Sequence, residues 1–201
     1  MKTKIAVFVS GGGTNLQALI DFEKSGKLTD GEIVLVVSSN PSAYALERAA
    51  KAGIKGVTVA RKECADQAEF EARIIAELDA AGAEMIVLAG FMSILSADFT
   101  RRYENRIINV HPSLIPSFCG KGMYGLRVHE AALGYGVKVT GATVHFVNEI
   151  PDGGQIIMQR AVEILPEDTA ETLQKRVMEQ AEWDILPRAA QMVAQSIRSA
   201  K

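Results

Sequence analysis

The sequence predicts an α/β protein: a Rossmann-like, mainly parallel, twisted sheet with helices on both faces and an antiparallel addition near the C-terminal half. Three observations predict it. Short apolar runs alternate with stretches of helical periodicity, the pattern of βαβ units. The first run, Ile5–Val9, leads directly into Ser10-Gly-Gly-Gly13 and then a helical pattern. After residue 136 two extended runs follow one another with only a Gly-bearing loop between them, which reads as an antiparallel or mixed addition.

In the first half the strands are Ile5–Val9, Ile33–Val37, Val57–Val59, Met85–Ala89 and Ile107–Val110. Leu16, Leu19 and Ile20 recur at helical spacing, as do Phe70, Ile74 and Leu78, the latter behind an Asp66-x-x-Glu69 start signal. Ala97–Tyr103 is a shorter helix. Val137–Val147 and Gln155–Ile164 are the later extended runs, and Asp168-x-x-Glu171 opens a long C-terminal helix expected to bend or break near Pro187. No linker, repeat or low-complexity tract divides the chain, so residues 1–201 read as one domain.

The chain has 201 residues, 48% hydrophobic and 23% charged, with a net charge of −2. A chain of this size buries roughly 70% of its unfolded surface and needs no disulfide or metal staple. The near-neutral charge lacks the basic footprint of a nucleic-acid binder. Cys64 and Cys119 give neither a disulfide framework nor a cysteine zinc site, which points to a reducing cytoplasm. The first apolar run is too short for a signal peptide or a membrane span, so neither nucleic acid nor membrane is expected as a partner, and no metal.

The 17 glycines cluster at Gly11–Gly13, Gly120–Gly125 and Gly153-Gly154. The first cluster ends a strand and starts a helix, which presents free N–H groups and the positive end of a helix dipole, a seat for phosphate; a plain βα turn is the alternative. Leu16 stands where a dinucleotide fingerprint wants Gly or Ala, the second strand ends in Ser38-Ser39-Asn40 without an acid, and no Gly-Lys-Ser/Thr follows. A phosphomonoester on a small molecule remains.

Asn109 and His111 stand two residues apart at a strand end, so both point one way while Ile108 and Val110 point the other. They either bind a ligand or cap the strand. Asp152-Gly153-Gly154 brings a carboxylate on a turn, which a plain hairpin also explains. If the three meet, Asn109 donates to a developing oxyanion, His111 donates beside it or moves a proton, and Asp152 favours the charged imidazole. With no Ser or Cys nucleophile in the set, the acceptor attacks directly, as in acyl transfer to an amine.

Ser10-Gly-Gly-Gly-Thr-Asn-Leu-Gln17, Leu88-Ala-Gly-Phe-Met-Ser-Ile-Leu-Ser96, Ile108-Asn-Val-His-Pro-Ser-Leu-Ile-Pro116, Thr143-Val-His-Phe-Val147 and Asp152-Gly-Gly together resemble the phosphoribosylglycinamide formyltransferases of purine biosynthesis, in order and over nearly the whole chain. The resemblance implies the formyltransferase fold and formyl transfer from 10-formyltetrahydrofolate, a co-substrate, to the glycyl amine of glycinamide ribonucleotide. Asn109, His111 and Asp152 match the catalytic trio. Gly13, Thr14 and Asn15 match the substrate-phosphate loop, and Glu182 a helical acid near the substrate. Met92, Ser93, Ile94 and Leu95, with Asn109, Asn148, Glu149 and Gln67, match positions that face the folate. A cytoplasmic monomer or weak homodimer is expected.

The sequence departs from that pattern in places. Ser93 and Gln67 stand where arginines are common, so bidentate anchoring is lost. Glu182-Trp183 replaces Glu-His, the Arg176-to-Pro187 spacing is one residue long, and Gln180 and Glu179 compete for the neighbourhood of Glu182. The Phe118–Leu126 loop is longer than usual, and its glycines predict a mobile flap that closes over the substrate amine. Outside the motifs, His145 reads as a structural histidine, His129 as a surface residue, Cys119 as an inert thiol and Trp183 as packing. The rivals are formyltetrahydrofolate hydrolase or another formyl-folate enzyme, methionyl-tRNA formyltransferase, and a non-catalytic sensor. The appended domains of the hydrolase and of the tRNA enzyme are not expected in a chain of this length and charge.

Overall fold

In chain order the computed structural model, which describes residues 1–201, runs β1 (Thr3–Val9), α1 (Thr14–Lys24), β2 (Gly31–Ser38), α2 (Tyr44–Lys51), β3 (Lys55–Thr58), α3 (Gln67–Ala81), β4 (Met85–Leu88), α4 (Ala97–Arg102), β5 (Ile107–His111), α5 (Leu126–Tyr135), β6 (Val139–Phe146), β7 (Ile156–Glu163), α6 (Ala170–Val177) and α7 (Trp183–Ser199). The seven strands form one sheet in the order β3-β2-β1-β4-β5-β6-β7. Neighbours from β3 to β5 are parallel, and β6 runs antiparallel to both β5 and β7, as the sequence predicts. Strand limits differ from the predicted ones by one or two residues, which is the scale of end fraying. Helix α2 carried no sequence signal that the apolar pattern picked out.

Alternation along β1 sends Ile5, Val7 and Val9 into one core and Ala6 and Phe8 into the other. On the first face, Leu16, Leu19 and Ile20 of α1 pack with Ile185, Leu186 and Ala189 of α7. Phe70, Ile74 and Leu78 of α3 and Phe99 of α4 fill the second. Each such fully buried side chain contributes about 1.5–3 kcal/mol. Helices therefore cover both faces, and no helix is long and apolar enough to cross a membrane.

Helix α3 starts as its sequence signal says: the Asp66 carboxylate accepts from Glu69 N–H at 2.8 Å, and the Glu69 carboxylate accepts from Ala65 N–H at 2.6 Å. At α6 the signal is one residue off. Thr169 is the cap, in a reciprocal box with Thr172, while Asp168 pairs with Arg176 and accepts from Leu165 N–H at 2.8 Å. The guanidinium hydrogen bond leads the effects that hold the Asp168 carboxyl down at about 2.

The predicted break near Pro187 is not there. Pro187 lies buried inside α7, and the irregularity is a π turn at Met178–Glu182 that joins α6 to α7. A π turn inserts one residue into a helix, so the extra residue between Arg176 and Pro187 is taken up just before the proline rather than at it.

The chain order reverses at β1, with β2 on one side and β4 on the other. Parallel sheets open a crevice at the carboxyl ends of such strands. Here the loops after β1 and β4 border it.

Candidate active site

The crevice holds a cavity of about 600 Å³, within the usual size of ligand sites. Its walls come from Gly90–Ile94 after β4, from Asn109–Pro112 at the end of β5, from the Gly120–Gly125 loop, and from Pro151-Asp152. Asn15 of α1, Gln174, Met178 and Glu182 close the remaining side.

Asn109, His111 and Asp152 do converge, and a fourth residue joins them. The β5–β6 register sets His145 opposite Asn109. The His145 ring is 2% exposed, its Nδ1 lies 2.7 Å from the Phe146 carbonyl and its Nε2 lies 3.2 Å from Asn109 Nδ2. A carbonyl only accepts, so Nδ1 carries the proton and Nε2 receives one Asn109 N–H. That leaves the second N–H of the Asn109 amide for the cavity. His145 is a buried, hydrogen-bonded structural histidine, as the sequence predicts, and one of its bonds orients the Asn109 amide.

His111 follows the same logic. Its Nε2 donates to the Phe118 carbonyl at 2.9 Å, and its Nδ1 faces Asp152 Oδ2 at 3.5 Å. Only a protonated Nδ1 makes that contact attractive, so the geometry suits a charged ring beside an ionised carboxylate. Asp152 also lies 3.6 Å from His145 Nε2 and accepts from Gly120 N–H at 2.8 Å. Burial pushes its carboxyl up, but the hydrogen-bonding contacts around it, the Gly120 N–H and His111 among them, outweigh burial and hold it below the ordinary value.

The glycines beside Asp152 are required by close approach. A Cβ on Gly154 would meet the Phe146 carbonyl oxygen at 1.7 Å, and one on Gly153 would meet Ile150 Cγ2 at 2.6 Å. Asp152 itself takes φ of 56°, the left-handed region that a short acidic side chain tolerates.

The Gly120–Gly125 loop, expected to be mobile and to close over the substrate amine, lies along the cavity. The Gly120–Asp152 and Phe118–His111 bonds tie it to the Asn109–His111–Asp152 cluster. Cys119 on the same loop has its thiol pushed up by burial and by Asp152, which agrees with an unreactive thiol.

At the first loop, Gly13 takes φ of 71°, and a Cβ there would meet Ala45 at 2.6 Å. The Gly11 carbonyl accepts from Ala45 N–H at 3.1 Å, and the Gly12 carbonyl from Arg48 Nε at 2.8 Å. Carbonyls are thus turned toward α2, and the helical ladder starts only with Gln17 N–H to the Gly13 carbonyl, so the N–H groups of the first turn point outward. Asn15 Nδ2 donates to Glu182 at 2.6 Å. Burial pushes the 6%-exposed Glu182 carboxyl up despite that bond. Glu179 lies 3.8 Å from Lys175 instead, so Asn15, not Glu179 or Gln180, is the partner of Glu182.

Of the residues expected to face ligands, Asn15, Met92, Ser93, Ile94, Asn109, His111, Asp152 and Glu182 line the cavity. Thr14 does not; it borders a neighbouring hollow of about 490 Å³ with Arg48 and Trp183. Gln67 stands behind the wall, its Nε2 donating to the Ile94 carbonyl at 3.0 Å. Leu95 packs against the smaller core, and Asn148 and Glu149 are exposed outside the cavity walls. These residues lie outside the cavity walls, because motif position identifies the loop but not which side chain of it turns inward.

His129 is corrected. It is fully buried on α5, and neither ring nitrogen has a hydrogen-bond partner. Burial, then the charge of His111, lowers its pKa to about 4, so the ring is neutral at physiological pH.

A sheet with its crevice at the β1/β4 reversal, and an Asn–His–Asp cluster that contains no Ser or Cys nucleophile, defines a class of direct group transfer. A family profile described as Formyl transferase matches residues 3–190, and the chain belongs to that family. It is 42% identical to the phosphoribosylglycinamide formyltransferase of Haemophilus influenzae, over 92% of this chain and 84% of that protein. It is 45% identical to the trifunctional purine biosynthetic protein adenosine-3 of Gallus gallus over 96% of this chain, and spans only 18% of that protein's length. Among solved structures, glycinamide ribonucleotide transformylase 1 from Symbiobacterium toebii superposes with a TM-score of 0.90 at 38% identity, covering 97% of this chain and 89% of that one. Phosphoribosylglycinamide formyltransferase from Brucella melitensis gives 0.88 at 41% identity, covering 96% of each chain.

Proposed function

We propose that this protein transfers the formyl group of 10-formyltetrahydrofolate to the glycyl amine of glycinamide ribonucleotide, as a cytoplasmic monomer or weak homodimer acting on these small molecules alone. The observation that carries the reading is the convergence of Asn109, His111 and Asp152 on a cavity bordered by Asn15 of α1 and the loop after β4, with His145 behind Asn109. The family match and the transformylase structures support it. The hydrolase alternative is not favoured: the similar proteins named above are transferases, and the Gly11–Asn15 loop has no use in it.

The cavity suits both reactants. Phe91, Met92, Ile94, Val110 and Pro112 give one stretch an apolar lining for a flat ring system. Asn15 and Glu182 give the other a polar one, and Asn15 Oδ1 is a buried acceptor without a partner, available to a ribose hydroxyl. The N–H groups ahead of α1 suit a phosphate.

In the reaction a bond forms between the amine nitrogen and the formyl carbon as the bond from that carbon to the folate nitrogen breaks. Charge building on the formyl oxygen is met by the free Asn109 N–H and the His111 ring. Asp152, 3.5 Å from His111 Nδ1, accepts the proton the amine sheds, which returns to the departing nitrogen. Mixing the protein with both substrates tests this: deformylated folate, followed by absorbance, appears with the ribonucleotide and not without it. Release without the ribonucleotide, or none with it, rejects the reading.

A further inference from the structure

We infer that Glu71 is a positioning residue for the folate, acting through the loop that joins β4 to α4; this rests on the folate reading of that loop. The loop needs support. It has no regular secondary structure, yet its Met92 and Ile94 are 57% and 84% exposed apolar side chains at the cavity, which burial does not hold in place.

Glu71, on the buried side of α3, is 7% exposed and takes no part in the chemistry above. Its Oε1 accepts from Ser96 N–H at 2.6 Å and from Gln67 Nε2 at 2.7 Å, and its Oε2 accepts from the Ser96 hydroxyl at 2.6 Å. The second N–H of Gln67 goes to the Ile94 carbonyl at 3.0 Å. Ser96 in turn accepts from Phe99 N–H at 3.1 Å and caps α4. One buried carboxylate therefore grips the loop at Ser96 directly and at Ile94 through Gln67. At the other end Met92 N–H donates to Ser10 Oγ at 2.9 Å, so the ligand-facing stretch is pinned at Met92, Ile94 and Ser96.

All three bonds to Glu71 need an acceptor at its carboxyl oxygens. Glu71→Gln keeps the shape but turns one oxygen into a donor, which only the Ser96 hydroxyl can receive, and the proton of that hydroxyl then loses its acceptor. Gln67→Ala removes only the Ile94 arm. Because the two share one network, their effects should be less than additive.

The test has two arms. Steady-state kinetics of Glu71→Gln is expected to show the KM for the formyl-folate raised about tenfold, a loss of about 1.4 kcal/mol, with kcat at saturation and the KM for the ribonucleotide within about twofold. Gln67→Ala moves the folate KM the same way by less. Hydrogen exchange of the ligand-free protein is expected to show faster exchange at the Met92 and Ser96 amides in Glu71→Gln, with the β1 and β4 amides unchanged. An unchanged folate KM, an equal loss toward both substrates, or unchanged loop exchange overturns the role of Glu71. Absence of turnover in the parent enzyme rejects the functional reading instead, and the exchange arm, which needs no ligand, still decides the clamp.

Discussion

Asn109 and His145 face each other across the β5–β6 pair, 3.2 Å apart from amide nitrogen to Nε2. Because Nδ1 of that ring is committed to the Phe146 carbonyl, the Asn109 amide has one orientation, with its nitrogen toward the ring. An oxyanion donor must be preorganised to be effective, and here the preorganisation comes from a histidine on the neighbouring strand.

Asn109→Ala should lower kcat by two to three orders of magnitude, about the effect of losing one oxyanion donor, with both substrates still bound. Calorimetry of the variant checks the binding half. Unchanged turnover contradicts the role.

His145→Ala should cost about tenfold in kcat, the value of one lost hydrogen bond of about 1.5 kcal/mol. It should add little on top of Asn109→Ala, since the two residues form one unit. A fully additive double variant would separate them.

Glu182 carries an opposite pair of effects. Its folded carboxyl sits above its ordinary value because burial opposes the charge. The folded state then binds more protons than the unfolded one, so stability falls as pH rises above the unfolded value of 4.5. Glu182→Gln should unfold at a higher temperature than the parent at pH 7, match it near pH 4, and bind the ribonucleotide more weakly. Equal unfolding temperatures at both pH values contradict this.

Asp168 gives the mirror case. Its carboxyl is held at about 2 against an ordinary 3.8, so its stabilisation is complete above the ordinary value and is lost as pH falls through about 2. Asp168→Asn should be less stable at neutral pH, with the difference shrinking between those two values. Denaturation midpoints that run parallel through this acid window contradict it.

His129 should hold its neutral form down to a pH of about 4. As a base whose folded value lies below its unfolded 6.5, it makes the protein lose stability as pH drops from 6.5 toward 4. His129→Leu should flatten that stretch of the stability curve. An NMR titration placing the ring near 6.5 contradicts the assignment.

What the sequence made legible follows from periodicity and covalent neighbourhood. The strands up to β5 and the switch to antiparallel pairing follow from apolar runs, and the period-2 placement of Asn109 and His111 on one side holds. Register between strands is not written in either segment alone, and it is register that sets His145 beside Asn109. The burial of His129 was invisible because one polar residue among Val128 and Ala132 does not alter an apolar face. The inward turn of Asn15 and the outward turn of Thr14 depend on helix rotation, which no motif encodes. The π turn shows the reverse: a one-residue excess was countable in sequence, while its location was settled by packing around Ala181 and Glu182.

The most direct test follows the carbon itself. Formyl-folate labelled with ¹³C at the formyl group, incubated with the protein and glycinamide ribonucleotide, should deliver the label to the formamide carbon of the ribonucleotide, with Asn109→Ala slowing its appearance by two to three orders of magnitude. Label recovered as formate, or transfer unaffected by that variant, would contradict the account.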